Sequence, residues 1–293
     1  MKRLIVNFLA LISLKLGIVI FSPFQIKKNI IVSGGNGLFV INKNNFKLKR
    51  VVVGKSYGMF VINNCFHFFL TDSKKNIKDG YIFKTFDMFG YVFFATKINF
   101  PISKGCHQIV TNDNKIYITD TYNNKILILN NKYELIETII CLKEINSRQD
   151  ENYKHVNSLY IDENYIYCLF HNETSKTGKN SQLCRIGKVK KDKEIIDTVF
   201  GCAHNIVSYN NKLLICDSLG SKIFLGDTVF LELEGFTRGL LIYKDKLFIG
   251  DSQKKKLNKN IHSQSKILIY DLTNKRCIKT INLNTQIYEI FNP

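Results

Sequence analysis

The chain has 293 residues, enough for one large domain with a substantial core or for two smaller ones. Hydrophobic residues make up 45% and only three residues are Pro, which excludes a disordered chain. Formal net charge is +18, from 42 basic against 24 acidic residues; this fits a polyanion or membrane-surface partner, and equally the Lys-, Asn- and Ile-rich bias of AT-rich coding.

The apolar residues come in short bursts of Ile, Val, Leu, Phe and Tyr separated by Asn, Asp, Gly and Lys, the rhythm of strands and hairpins. In chain order, residues 1–27 stand apart. Lys2 and Arg3 precede a mostly apolar run, Leu4–Phe21, broken by Asn7, Ser13 and Lys15. The run has a signal peptide's positive start without a clear small-x-small cleavage site, and Lys15 makes it a marginal membrane span. It reads either as a signal or anchor, the route by which residues 4–21 would engage a membrane, or as an extension packed on the domain. A secreted or anchored protein and a cytoplasmic one therefore both stay open.

From residue 28 to 293 one unit repeats. Asn29 opens NIIVSGGNGLFVIN, which reads as second and third strands lacking a first. The unit is clearest from His107, HQIVTNDNKIYITDTYNNKILILN, with weaker or interrupted copies from Tyr57, Asn157, His204 and Arg238. In each copy the first apolar residue lies seven positions before the start of the next strand: Met59/Phe66, Ile109/Ile116, Leu159/Ile166, Ile206/Leu213 and Leu240/Leu247. The turns between them, such as Asn63-Asn64, Asp113-Asn114 and Asn210-Asn211, suit tight hairpins. The chain closes on QIYEIFNP, a strand with no partner after it, which would complete the blade begun at Asn29. The spacing predicts an all-β, six-bladed propeller with four antiparallel strands per blade and a period of about 46 residues.

The segment IYITDTYNNKILILN (116–130) looks like an NHL repeat, and the ring over about residues 29–293 resembles the six-bladed NHL and gluconolactonase-like propellers. That group hosts lactonases, lyases, protein binders and RNA binders, so the resemblance implies the fold more than the activity.

Two positions before the first apolar residue, the copies carry Tyr57, His107, Asn157, His204, Arg238 and Tyr288. Each begins the innermost strand of its blade, so the six are expected to converge at one mouth of the central channel as a ligand site. His107, His204 and Arg238 are the candidate catalytic groups. The resemblance implies metal options: related lyases hold zinc with three axial histidines, and gluconolactonase-like enzymes use oxygen ligands for a divalent ion such as calcium. Here His107 and His204, with His155 swung in, could supply a zinc site with an open position. Two histidines bound only to neighbouring blades are the bland alternative. Arg238 suits a carboxylate, sulfate or phosphate group, or a structural pair with Glu289.

Three long turns expected at this end, Asp72–Gly80, His171–Gln182 and Ser252–Ser265, carry Lys74, Lys75, Lys78, Lys176, Lys179, Lys254, Lys255, Lys256 and Lys259. They predict a basic face for an anionic small molecule or polyanion. The turns Asp72–Gly80 and Ser252–Ser265 contain no Phe or Tyr, which weakens single-stranded nucleic acid as the partner. Eight cysteines without a CxxC pair are expected as reduced, buried thiols. The favoured reading is a monomeric ligand-binding propeller, with a metal-dependent lyase or hydrolase as alternative and an NHL-type protein or RNA scaffold behind it.

Overall fold

The computed structural model describes residues 15–71, 79–143, 145, 149–253 and 264–293. They form a six-bladed β-propeller whose blades are antiparallel sheets. The first blade joins the two ends of the sequence: Ile287–Phe291 pairs with Asn29–Gly34, followed outward by Gly37–Asn42 and Leu48–Val53. The second blade holds Lys55–Ile62, Cys65–Thr71, Asp79–Met88 and Tyr91–Ser103. The third begins at Ile109–Asn112, the fourth at Val156–Ile161, the fifth at His204–Tyr209 and the sixth at Phe236–Tyr243.

Period-2 alternation explains why these segments are strands, and the pairing of faces explains the core. The inner strands are the more buried, up to Asn29–Gly34, where all six residues are buried; the outermost are the more exposed, down to Lys193–Asp197, where all five are exposed. Apolar clusters fill each gap between adjacent blades, for example Ile109, Ile116 and Leu129 of the third blade against Phe60, Phe69 and Ile82 of the second. The Asn- and Asp-rich hairpins use the left-handed backbone their residues tolerate: Asn63, Asn64, Asp113, Asn114, Asn210 and Asn211 all have positive φ. The repeated aspartates work inside their own turns. Asp217 accepts from the amides of Gly201 and Gly220, and Asp120 from the Asn123 side chain. All eight cysteines are free thiols.

The 1–27 stretch does not stand outside the propeller as a whole. Ile18–Phe24 pairs antiparallel with Tyr91–Ser103 as a fifth, outermost strand of the second blade. Its alternation sends Val19, Phe21 and Phe24 into a cluster with Phe68, Phe83, Val92 and Ala95 and leaves Ile18 and Ile20 outside. Ile18–Phe24 is thus a packed extension of the domain. Residues 1–14 lie outside the described residues, and no helix among the described residues is long and apolar enough to cross a membrane.

Candidate functional site at the channel mouth

The innermost strands begin with an irregularity. Register shifts fall between Tyr57 and Met59, Val156 and Ser158, His204 and Ile206, and Thr237 and Leu240. Each is a bulge, which re-aims side chains and frees backbone amides. The freed amides are taken up by a polar belt running from blade to blade. Glu289 accepts from the Met59 amide at 3.0 Å and from the Gln108 side chain at 3.2 Å, and Gln108 accepts from the Leu159 amide at 2.7 Å. Ser158 accepts from the Asn205 amide at 2.8 Å, and Asn205 from the Gly239 amide at 2.7 Å. Burial raises the Glu289 carboxyl to about 8, against the partial relief of the two donors, so it is largely protonated at neutral pH.

Above this belt four of the six ring residues meet directly. Tyr57 and Tyr288 stack with centroids 4.3 Å apart, and His107 packs edge-on against Tyr57 at 5.2 Å. The Arg238 guanidinium lies 4.7 Å from the Tyr288 ring and 5.6 Å from the Tyr57 ring, and donates to Nδ1 of His107 at 2.9 Å. His204 joins through His171 and His155, and Asn157 is set apart: it is buried beside Ala203 and accepts from Ser158. Burial pushes both tyrosine hydroxyls up, Tyr57 to about 12, so both are neutral donors and acceptors.

The histidines form a chain with one direction. Arg238 can only donate, so Nδ1 of His107 accepts and the neutral ring carries its proton on Nε2. That Nε2 lies 3.1 Å from Nε2 of His155, whose Nδ1 in turn faces Glu173 at 3.3 Å. The hydrogen bond from His155, then Lys176, holds the Glu173 carboxyl well below its usual range. His171 stacks on His155 at 4.5 Å and accepts the Glu173 amide on Nδ1. His204 directs Nδ1 at the Cys202 carbonyl (2.7 Å) and at Ser218 (2.8 Å), which leaves its proton there and a lone pair on Nε2. Burial, then neighbouring positive groups, lowers His107, His171 and His204 strongly, so these three are neutral at ordinary pH.

This arrangement does not fit the zinc set that the sequence suggested. His107 and His155 each use both ring nitrogens within the chain of hydrogen bonds, and His204 meets them only through His171. Among the described residues no group of three His, Cys, Asp or Glu side chains is placed to hold a metal ion.

Arg238 is the outlier in the charge balance. It is 8% exposed, no ion pair joins it to a carboxylate among the described residues, and its Nε has no hydrogen-bond partner. The pairing with Glu289 that the sequence allowed is not made, because Glu289 serves Met59 and Gln108. A second cation is nearby: Nζ of Lys55 lies 4.9 Å from the Tyr57 ring and 5.8 Å from that of Tyr288. Lys55 sits two residues before Tyr57, a place the repeat did not single out. Of the turn lysines, Lys74, Lys75, Lys78, Lys254, Lys255, Lys256 and Lys259 lie outside the described residues, Lys176 is paired with Glu173, and Lys179 is exposed. Strained backbone gathers here too: His155, Asn172, Glu173, Cys202 and Asn205 all have positive φ.

The fold and this mouth define a six-bladed β-propeller with a polar, cationic axial end. No protein-family model matches the chain, and no curated protein is similar to it in sequence. Among solved structures it is similar to a chain of the nidogen/laminin complex, with a TM-score of 0.62 at 11% identity over 89% of this chain and 96% of that one. A protein of unknown function from Bacteroides caccae is similar to the same degree, TM-score 0.62 and 11% identity over 89% of this chain and 97% of that one. At such identity the likeness shows the fold alone.

Proposed function

We propose that the propeller binds a small anion, or the anionic end of a larger molecule, at the channel mouth, with Arg238 as its main contact. The observation that carries this is the buried guanidinium with an unpartnered Nε and, among the described residues, no ion pair to a carboxylate. A desolvated charge costs several kcal/mol unless something of opposite sign meets it. Glu289, turned to Met59 and Gln108, makes no ion pair with it, and Lys55 adds a second cation. A carboxylate, sulfate or phosphate group would take the guanidinium's paired donors, with the tyrosine hydroxyls as neutral partners. The NHL and gluconolactonase-like likeness of the blade from His107 is in keeping with this reading, since that group builds its sites at the axis.

Calorimetric titration with carboxylates, sulfate and phosphate esters tests it. Arg238→Met is expected to weaken the preferred anion by about ten- to a hundredfold, the worth of hydrogen bonds to a charged group. Unchanged affinity in that variant would remove the reading. A hydrolase or lyase is the second reading, favoured by His204, whose fixed Nδ1 proton leaves Nε2 as a base.

A further inference from the structure

The hairpin joining Asp79–Met88 to Tyr91–Ser103 in the second blade turns on two residues, Phe89 and Gly90, with φ of +55° and +79°. Two positive φ values in a two-residue loop are the conformation for which Asn-Gly is suited, and three of the chain's other two-residue hairpins put Asn or Asp first, at Asn63, Asp113 and Asn210, with Gly226 and Lys244 in two more. Here the position holds a phenylalanine that is 92% exposed. Two other aromatic residues with positive φ have packing to explain them: Phe46 lies against the cluster around Phe248, and Tyr133 bonds His67. Phe89 pays the same backbone strain and buries nothing.

Its surroundings continue the pattern. Met88, Tyr91 and Phe93 flank the tip and are exposed. Behind them Ile20, Phe94 and Phe86 are consecutive cross-strand partners on the outward face, with Phe86 and Phe94 stacked at 4.9 Å and Ile20 81% exposed. The next row is Ile18, Thr96 and Lys84; Lys97, one residue on, alternates to the other face and lies over Tyr81. Asp87 is the acidic residue of the tip, and its carboxylate is engaged by the Gly90 amide. The strand at this edge follows Leu4–Leu14, a segment whose sequence is apolar but for Asn7 and Ser13.

We infer that this aromatic hairpin and the outward face of Ile18–Phe24 dock on a lipid bilayer with anionic headgroups. Phe, Tyr and Met on a projecting tip, with Lys84 in the row behind them on the same face, match an interface where rings sit at the level of the headgroups and cations meet anionic lipid. A single protruding apex suits lipid better than a self-complementary protein face, which needs a broad patch of about 800 Å² on each partner. The chain's charge of +18 favours the same surface. This inference does not rest on the anion site at the mouth.

The protein contains no tryptophan, so Phe89→Trp supplies a unique reporter. In the full chain its emission should shift to the blue on adding vesicles of phosphatidylcholine and phosphatidylserine, and lipids brominated on their acyl chains should quench it. Vesicles of phosphatidylcholine alone should bind more weakly, and salt should narrow the difference. Phe89→Asn, which suits the turn and leaves residues 1–14 in place, should lower vesicle partition about tenfold or more, the worth of one buried ring. The inference is overturned by emission indifferent to vesicles, or by Phe89→Asn binding as tightly as the parent, which would assign the membrane to residues 4–14 alone. Emission already blue without lipid would also sink it: if lost on dilution a second copy covers the patch, and if not, the chain itself does.

Discussion

At the mouth, Arg238 carries a cation inward to 8% exposure with no ion pair to a carboxylate among the described residues; on the second blade, Phe89 carries an aromatic ring outward to 92% exposure on strained backbone. The two residues err in opposite directions. One is a charge where the fold wants apolar atoms, the other an apolar ring where it wants Asn. In the Asn-Asn hairpins and the fully buried Asn29–Gly34, by contrast, local preference and global fold agree. Local conflict in an otherwise consistent chain is the physical mark of a place shaped by something besides folding.

The contrast can be broken in three ways. The largest effect should come from acid. His107, His171 and His204 have folded pKa values depressed below the unfolded value, so the unfolded chain takes up their protons first. Stability should hold above about pH 6.5 and drain as pH falls below it, by up to about 1.4 kcal/mol per pH unit for each histidine. Denaturant melts across that range check this, and hydrogen exchange should open around residues 155–173 before the histidine-free hairpin at Phe89. Next, Arg238→Met should stabilise the anion-free protein by about 1–3 kcal/mol, because it removes an unpaired buried charge. A loss of stability would mean that His107 and the tyrosines already satisfy the guanidinium. Smallest, Phe89→Asn should raise stability by about 1 kcal/mol by relieving the left-handed backbone; no gain would remove the strain from the account of the hairpin.

Much of this was legible in the residues. Seven-position spacing and Asn-rich turns foretold the six blades, and a two-residue offset gathered Tyr57, His107, Arg238 and Tyr288. What stayed hidden follows from local geometry. Bulges at the strand starts break alternation, so Glu289, read only as a possible pair for Arg238, turns into a belt with Gln108 and Met59. His171 and Glu173 come from the fourth blade's long turn, where no repeat supplies a register, and positive φ at Asn172 and Glu173 bends the chain towards His155. Ile18–Phe24 escaped because its alternation was submerged in a longer apolar run, and only pairing with Tyr91–Ser103 separates buried Val19 and Phe21 from exposed Ile18 and Ile20.

The stacked Tyr57 and Tyr288, and the Met59 amide held by Glu289, join opposite ends of the chain, the latter pair 230 residues apart in sequence. Both lie at the seam where the first blade meets the second, so the mouth comes into being only once the circle has shut. Any molecule held there acts as a clasp: it tightens the seam by mass action, in proportion to the logarithm of its concentration over its dissociation constant. Occupancy at the axis and the integrity of the whole ring are then two readings of one equilibrium.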